Sequence, residues 1–330
     1  MTVPQIRLHG SQNSSTATLQ LEIFGFTPDL YGYQWVISRI TSTGTPVIQN
    51  SVTGWSPASS STSGIYSLVA LDFTLSHPLG SQANALSVMT IPGYANNSIL
   101  SLNSVVLTQM KSGSQQALDL DLNAIPVDWV IDGPVGVTLK DWATSGRYTG
   151  GEGVDTLVFS KTRASYNVTR TPASINITDI SSGASDLLTK FERLQFSDAG
   201  VAYDLDGSAG NVSKILGALW GSGSVTSAKM VGAGLSLFDQ GLDTKQVMHI
   251  ALPARLGASY QAADVITLLY QNLTHKNPNL DELNYWQSQV GIGKPFDSYD
   301  SLALYASELA LNTSAIGLTG LQSSGVSYIY

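Results

Sequence analysis

Apolar and polar residues alternate through the first third of the chain. In Leu19-Gln20-Leu21-Glu22-Ile23 and Leu71-Asp72-Phe73-Thr74-Leu75 every second side chain falls on one face, the period of a half-buried strand. Ser104-Val105-Val106-Leu107 is a short apolar run of the same kind. Residues 53–64 are almost entirely Ser, Thr, Gly, Pro and other small residues, and are predicted to be connecting turns. Short strands separated by such turns point to an antiparallel β-sandwich over residues 1–125. A second β region is expected over 126–203, with strands at 155–158, 165–169 and 174–179.

From Asp204 onward the period becomes helical. Helices are predicted at 209–220, 225–239, 244–256, 261–273, 280–290 and 299–311. Asp243 with Gln246 and Asn279 with Glu282 have the spacing of capping boxes, and Pro278 blocks continuation of the preceding helix. The stripe Val265, Leu268, Leu269 and Leu273 predicts a buried face, and Tyr270, Tyr285 and Trp286 read as core aromatics. The expected fold class is therefore multidomain, β then α: a sandwich, a small second β region and a helical bundle over 204–330.

Composition narrows the setting. With 330 residues the chain is long enough for two or three domains. It has no cysteine, which excludes disulfides, thiolate metal sites and a cysteine nucleophile. Charged residues make up 12% of the chain, about half the usual ~25%, so Ser, Thr, Asn, Gln and Gly must cover the surface. The net charge of −8 argues against nucleic acid or an anionic membrane as partner, and no apolar run of spanning length is present. Of the 24 acidic residues, 19 are Asp and 5 are Glu. Short carboxylates of this kind suit turns and calcium ligation.

The stretch Gly150-Gly151-Glu152-Gly153-Val154-Asp155-Thr156-Leu157-Val158 fits the nonapeptide G-G-x-G-x-D-x-U-x at every specified position, and so resembles the calcium-binding unit of RTX-type secreted proteins. That resemblance implies calcium held by the carbonyls of Gly150, Gly151 and Gly153 and by the Asp155 carboxylate. The motif occurs once, however, and an RTX ion sits between two successive turns, so one copy supplies half a site. A glycine-rich hairpin turn leading into a strand is the other reading. Residues 191–204, FERLQFSDAGVAYD, resemble the sequence that closes many RTX-type modules. Residues 27–35, TPDLYGYQW, resemble the second-strand region of cohesin-like modules.

The helical region is similar to a domain of unassigned function found behind RTX segments. The likeness rests on Leu269-Tyr270, Tyr285-Trp286, the joint at 204–211 and Lys214-Ile215-Leu216-Gly217-Ala218. Lys276-Asn277-Pro278-Asn279 departs from that pattern. The same resemblance makes residues 318–330 a candidate secretion signal of the uncleaved, type I kind, and with it an extracellular, cell-surface location.

Two further calcium candidates come from aspartate spacing. Asp204, Asp206 and Asn211 form one at the β-to-helix joint, where an aspartate cap for the first helix is the competing reading. Asp119, Asp121 and Asn123 form the other, a string without the Gly and Glu of an EF-hand loop that also reads as a polar strand face. Asp128, Asp132 and Asp141 are acids able to complete a site between the β regions. His9, His77, His249 and His275 lie far apart without metal spacing, and no nucleophile elbow, P-loop or dinucleotide fingerprint is present. The sequons at Asn167 and Asn176 are expected by chance in a chain this rich in Asn, Ser and Thr.

The expected function is a secreted structural protein, a surface-layer, matrix or filament subunit that assembles with copies of itself or other surface proteins with calcium support. The alternative is an adhesin binding protein or surface glycan through Tyr31, Tyr33, Trp35 and Trp55. No enzyme is expected.

Overall fold

A computed structural model of the chain describes residues 5–13, 15–24, 30–38, 47–50, 54, 56–62, 65–71, 73, 84–93, 101–111, 114–119, 127–131, 136–141 and 145–330. The chain forms two compact units, Met1–Ser197 and Asp198–Tyr330.

Among its described residues the first unit is built of β strands, with one 3-10 turn at Arg163–Ser165. Strands β1 (Gln5–Gln12), β2 (Thr16–Phe24) and β7 (Asn84–Pro92) run antiparallel in sequence, with β4 (Val47–Asn50) beyond β7 at the sheet edge. Their inward positions Leu8, Leu19, Leu21, Met89 and Ile91 are at most 1% exposed, as the alternation around Leu19 and Leu21 requires. A second, five-stranded antiparallel sheet has the order β5 (Ser56–Thr62), β6 (Ile65–Leu71), β3 (Leu30–Ser38), β8 (Ser101–Lys111), β9 (Ser114–Asp119). Tyr33, Ala70 and Leu107 are buried there.

Two strand expectations are corrected. In the alternation at 71–75, Leu71 is the last residue of β6 and Phe73 stands in a turn, 75% exposed, while Asp72, Thr74 and Leu75 lie outside the described residues. Residues 56–62, expected to be turns, form β5. This strand ends its sheet among the described strands, the place in a sheet that admits a proline such as Pro57.

Antiparallel pairing gives way in the middle of the unit. β1 pairs in parallel with β10 (Val127–Ile131), which pairs in parallel with β12 (Gly146–Thr149), and β12 with β16 (Ser185–Thr189). A second parallel ladder joins β11 (Thr138–Lys140), β13 (Thr156–Val158) and β17 (Arg193–Gln195). In chain order the strands β10, β11, β12 and β13 thus alternate between the two ladders. One sheet spans residue 125, because β1 and β10 are partners. Parallel strands need long connections, and the intervening segment between β1 and β10 supplies one.

In the ladders, like residues stack. Leu139, Leu157 and Leu194 are in register, as are Trp129, Tyr148 and Leu188, and all six are at most 1% exposed. An antiparallel pair, β14 (Tyr166–Arg170) and β15 (Ile175–Asp179), adds to β16. It brings Tyr166 against Phe159 and Phe196, with ring centroids 5.0 and 5.5 Å apart.

The second unit contains helices α1 (Ser208–Trp220), α2 (Ala228–Asp239), α3 (Thr244–Leu256), α4 (Ala262–Thr274), α5 (Leu280–Ser288), α6 (Tyr299–Glu308), α7 (Ala310–Ala315) and α8 (Leu318–Ser324). α1 is central. Its Ile215, Ala218 and Leu219 pack with Met248, Leu252, Val265 and Leu269, while its Ala209, Val212 and Leu216 pack with Val231, Leu235 and Tyr328. Both predicted capping boxes form: the side chains of Asp243 and Asn279 accept the N–H groups of Gln246 and Glu282, which reach back in return.

The helix expected at 225–239 starts later, after a 3-10 turn over Ser222–Thr226. There Ser224 and Thr226 donate to the carbonyls of Gly221 and Gly223 and compete with helical bonding. The helix expected at 299–311 breaks at Leu309, an extended residue, and Asn312 bonds back to the carbonyls of Ser307 and Lys214. Of the expected core aromatics, Trp286 donates to the Tyr270 hydroxyl at 3.0 Å, but Tyr285 is 56% exposed.

The tail is folded into this unit. β18 (Gly200–Ala202) pairs antiparallel with β19 (Val326–Tyr328), and Val326 and Tyr328 are buried.

The candidate site at the stacked turns

The glycine motif occupies the crossing from β12 to β13, between the turn that precedes β11 and the turn that precedes β17. Gly153 takes a φ of 91°, a region that side-chain-bearing residues avoid, and so reverses the chain. Gly150 is required by close approach: a Cβ there would lie 1.8 Å from the Lys190 carbonyl oxygen and 2.6 Å from Asp155 Oδ2.

These two features turn Asp155 inward, where it is fully buried. Its Oδ1 accepts the backbone N–H of Val137 in the preceding turn, and its Oδ2 accepts the N–H of Gly151 in its own turn, both at 2.8 Å. Its main chain reaches the following turn. Asp155 N–H donates to Glu192 Oε2 at 2.8 Å, and Asp155 O accepts from the N–H groups of Glu192 and Arg193 at 3.2 and 3.0 Å. Gly150 N–H donates to Thr189 O and Thr156 N–H to Val137 O, each at 2.8 Å. A single residue therefore ties three successive turns. Burial pushes the Asp155 carboxyl above the usual aspartate range, and the bonds from Val137 and Gly151 oppose that rise.

This donor set does not fit a calcium ion. Calcium takes roughly six to eight oxygen ligands. Here both carboxylate oxygens of Asp155 and Glu192 Oε2 already accept amide hydrogens at 2.8 Å, and the Asp155, Thr189 and Val137 carbonyls accept further ones. Of the ligands expected from the motif, Asp155 alone brings a carboxylate, and it is spent on the Val137 and Gly151 amides.

Among the described residues, the other sequence candidates are not drawn together. Asp204 is buried, and its Oδ2 accepts the Ala209 N–H at 3.1 Å in the first turn of α1; its carbonyl accepts from Gly207 and Gly210. Asp204 thereby satisfies one of the free amides of the first turn, although the N-cap residue of α1 is Gly207. Asp206 is exposed, and Asn211 donates to Thr244 Oγ1 at 3.4 Å. Asp119 ends β9, and its partners Asp121 and Asn123 lie outside the described residues, as do Asp132, His77 and Trp55. Asp128 lies beside His9, which is 3.8 Å away and bonds Glu22 at 2.8 Å. Among the described residues, no group of three or more His, Cys, Asp or Glu could hold a metal ion, and no helix is long and apolar enough to cross a membrane.

Sequence reasoning missed one buried acid. Asp186 of β16 is 4% exposed and accepts the Gly146 N–H, while its Oδ1 meets no partner among the described residues. Burial, with the nearby negative charge of Asp141, pushes its carboxyl up to about 8. The signal was available. Asp186 stands two residues before Leu188, so the alternation that turns Leu188 inward turns Asp186 inward too.

No protein-family model and no curated protein matches the chain. Among solved structures, it is similar to the sixth cohesin of scaffoldin B from Acetivibrio cellulolyticus, solved with a Cel5 dockerin mutant, at 10% identity over 36% of this chain and 100% of that one, with a TM-score of 0.27. The second type II cohesin module of the ScaA scaffoldin of the same organism matches at 12% identity over 35% of this chain and 90% of that one, TM-score 0.28. A GH20 exo-β-N-acetylglucosaminidase from Vibrio harveyi matches at 9% identity over 38% of this chain but 18% of that one, TM-score 0.25. At these scores the architecture of the chain rests on its own strand pairing.

Proposed function

We propose that the chain is an extracellular structural subunit that joins copies of itself, or other surface proteins, by strand addition at the open edges of its β sheets. The carrying observation is the chemistry of those edges. Among the described residues, β4 and β5 each end a sheet on one side, and neither Val47–Asn50 nor Ser56–Thr62 carries a charge. At the far edge of the five-stranded sheet, β9 exposes Ser114, Gln115, Gln116 and Ala117. Proteins that remain single protect such edges with lysine, proline or inward charge. Here the only such guard on β4 and β5 is Pro57, and Val47 is 55% exposed. Unguarded edges pair with another strand.

The extracellular setting is supported by the absence of cysteine, the low charge and the RTX-like turn between two parallel ladders. The glycan reading loses one of its platforms, because Tyr33 is fully buried. The test is light scattering and electron microscopy of the whole chain across a concentration series, beside a variant carrying Gln49→Lys, Ala58→Lys and Gln116→Lys. Regular oligomers or filaments that the lysines abolish support the proposal. A compact monomer at every concentration sinks it.

A further inference from the structure

We infer that Asp155 is a metal-free clamp: its carboxylate holds the successive turns together by accepting backbone N–H groups, so this part of the chain folds and stays folded without calcium.

The inference runs against the motif that draws the eye to this turn. In a calcium-held turn, carboxylate and carbonyl oxygens converge on a cation that cancels their repulsion. Here the same task falls to amide hydrogens. Val137 N–H and Gly151 N–H each supply a donor at 2.8 Å, from two different turns, to the two oxygens of one fully buried carboxylate. The third turn is bound through the Asp155 main chain and by Glu192 Oε2, which takes the Asp155 N–H. Hydrogen bonds to an ionised group are about twice as strong as neutral ones, and at this depth water does not compete for them.

The close fit adds to the case. A methyl group at Gly150 would overlap the Lys190 carbonyl, so the turns already stand in backbone contact. At Gly136 a Cβ would lie 2.2 Å from the Val154 carbonyl oxygen, which closes the gap on the other side. An ion with its full oxygen shell would have to displace the Val137 and Gly151 amides and part these turns.

The experiment uses the full chain and a metal alone. Thermal unfolding is followed in EDTA and in millimolar calcium chloride, for the wild type and for Asp155→Asn. The clamp predicts that the wild-type melting temperature differs by less than about 1 °C between the two conditions, and that Asp155→Asn lowers it equally in both. A calcium shift of the same size in both proteins places any ion away from Asp155 and also supports the clamp. A shift of several degrees in the wild type that Asp155→Asn removes overturns it. Should the variant not fold, the wild-type amide resonances of Val137 and Gly151 decide: unmoved by calcium they support the clamp, and displaced at stoichiometric calcium they overturn it.

Discussion

The carboxylate of Asp155 accepts the backbone N–H of Val137 across 18 positions of the chain, at 2.8 Å and in full burial. This bond joins two consecutive turns of the parallel ladders, and its loss should be felt directly. Asp155→Ala leaves two buried amides, Val137 and Gly151, without an acceptor. Each such group costs about 1–3 kcal/mol, so the variant should lose about 3 kcal/mol or more in chemical denaturation followed by circular dichroism. Asp155→Asn keeps one accepting oxygen and should lose less.

Gly150→Ala should destabilise the same unit by about 2–4 kcal/mol through backbone overlap at Lys190, since overpacking of this severity forces the chain to move. Gly223→Ala is the control. A Cβ there meets nothing within 4 Å, and the change should stay within about 0.5 kcal/mol.

Asp186 should impose a pH dependence. Unfolded, its carboxyl ionises near the ordinary aspartate value of about 3.9; folded, it keeps its proton up to about 8. Between those values the folded state holds the extra proton, so this residue's contribution makes stability fall as pH rises from about 4 to about 8, and it is level above that. Asp186→Asn mimics the protonated form. It should flatten this slope and raise stability at pH 8.5 by about 1–3 kcal/mol. Equal pH profiles for the variant and the wild type would contradict this.

In the helical unit, Asp243→Ala and Asn279→Ala each remove a cap and should cost about 1 kcal/mol. Asp204→Ala should cost more, about 1–3 kcal/mol, because the Ala209 amide it satisfies is buried. None of the three losses should depend on calcium, and differential scanning calorimetry in chelator checks this.

What could be read from the residues depended on how local the cause was. The caps at Asp243 and Asn279 are three-residue events, and both form as their spacing dictates. The strand around Leu19 and Leu21 announces itself through alternation. β5 does not, because Ser and Thr on an edge strand carry no apolar period. The parallel pairing of β1 with β10 brings together segments more than a hundred positions apart, and nothing in either segment names the other. The same limit applies at the site. Asp155 stands out in its glycine frame, but Val137 acts through its backbone N–H, which every residue except proline possesses. The motif therefore located the turn and left open what fills it.

The most direct measurement is amide hydrogen exchange at Val137 and Gly151 in the wild-type chain under EDTA. The clamp predicts both amides protected in chelator, with rates unchanged on adding calcium, and exposed in Asp155→Ala. Free exchange of both in EDTA, with protection appearing only when calcium is added, would contradict it.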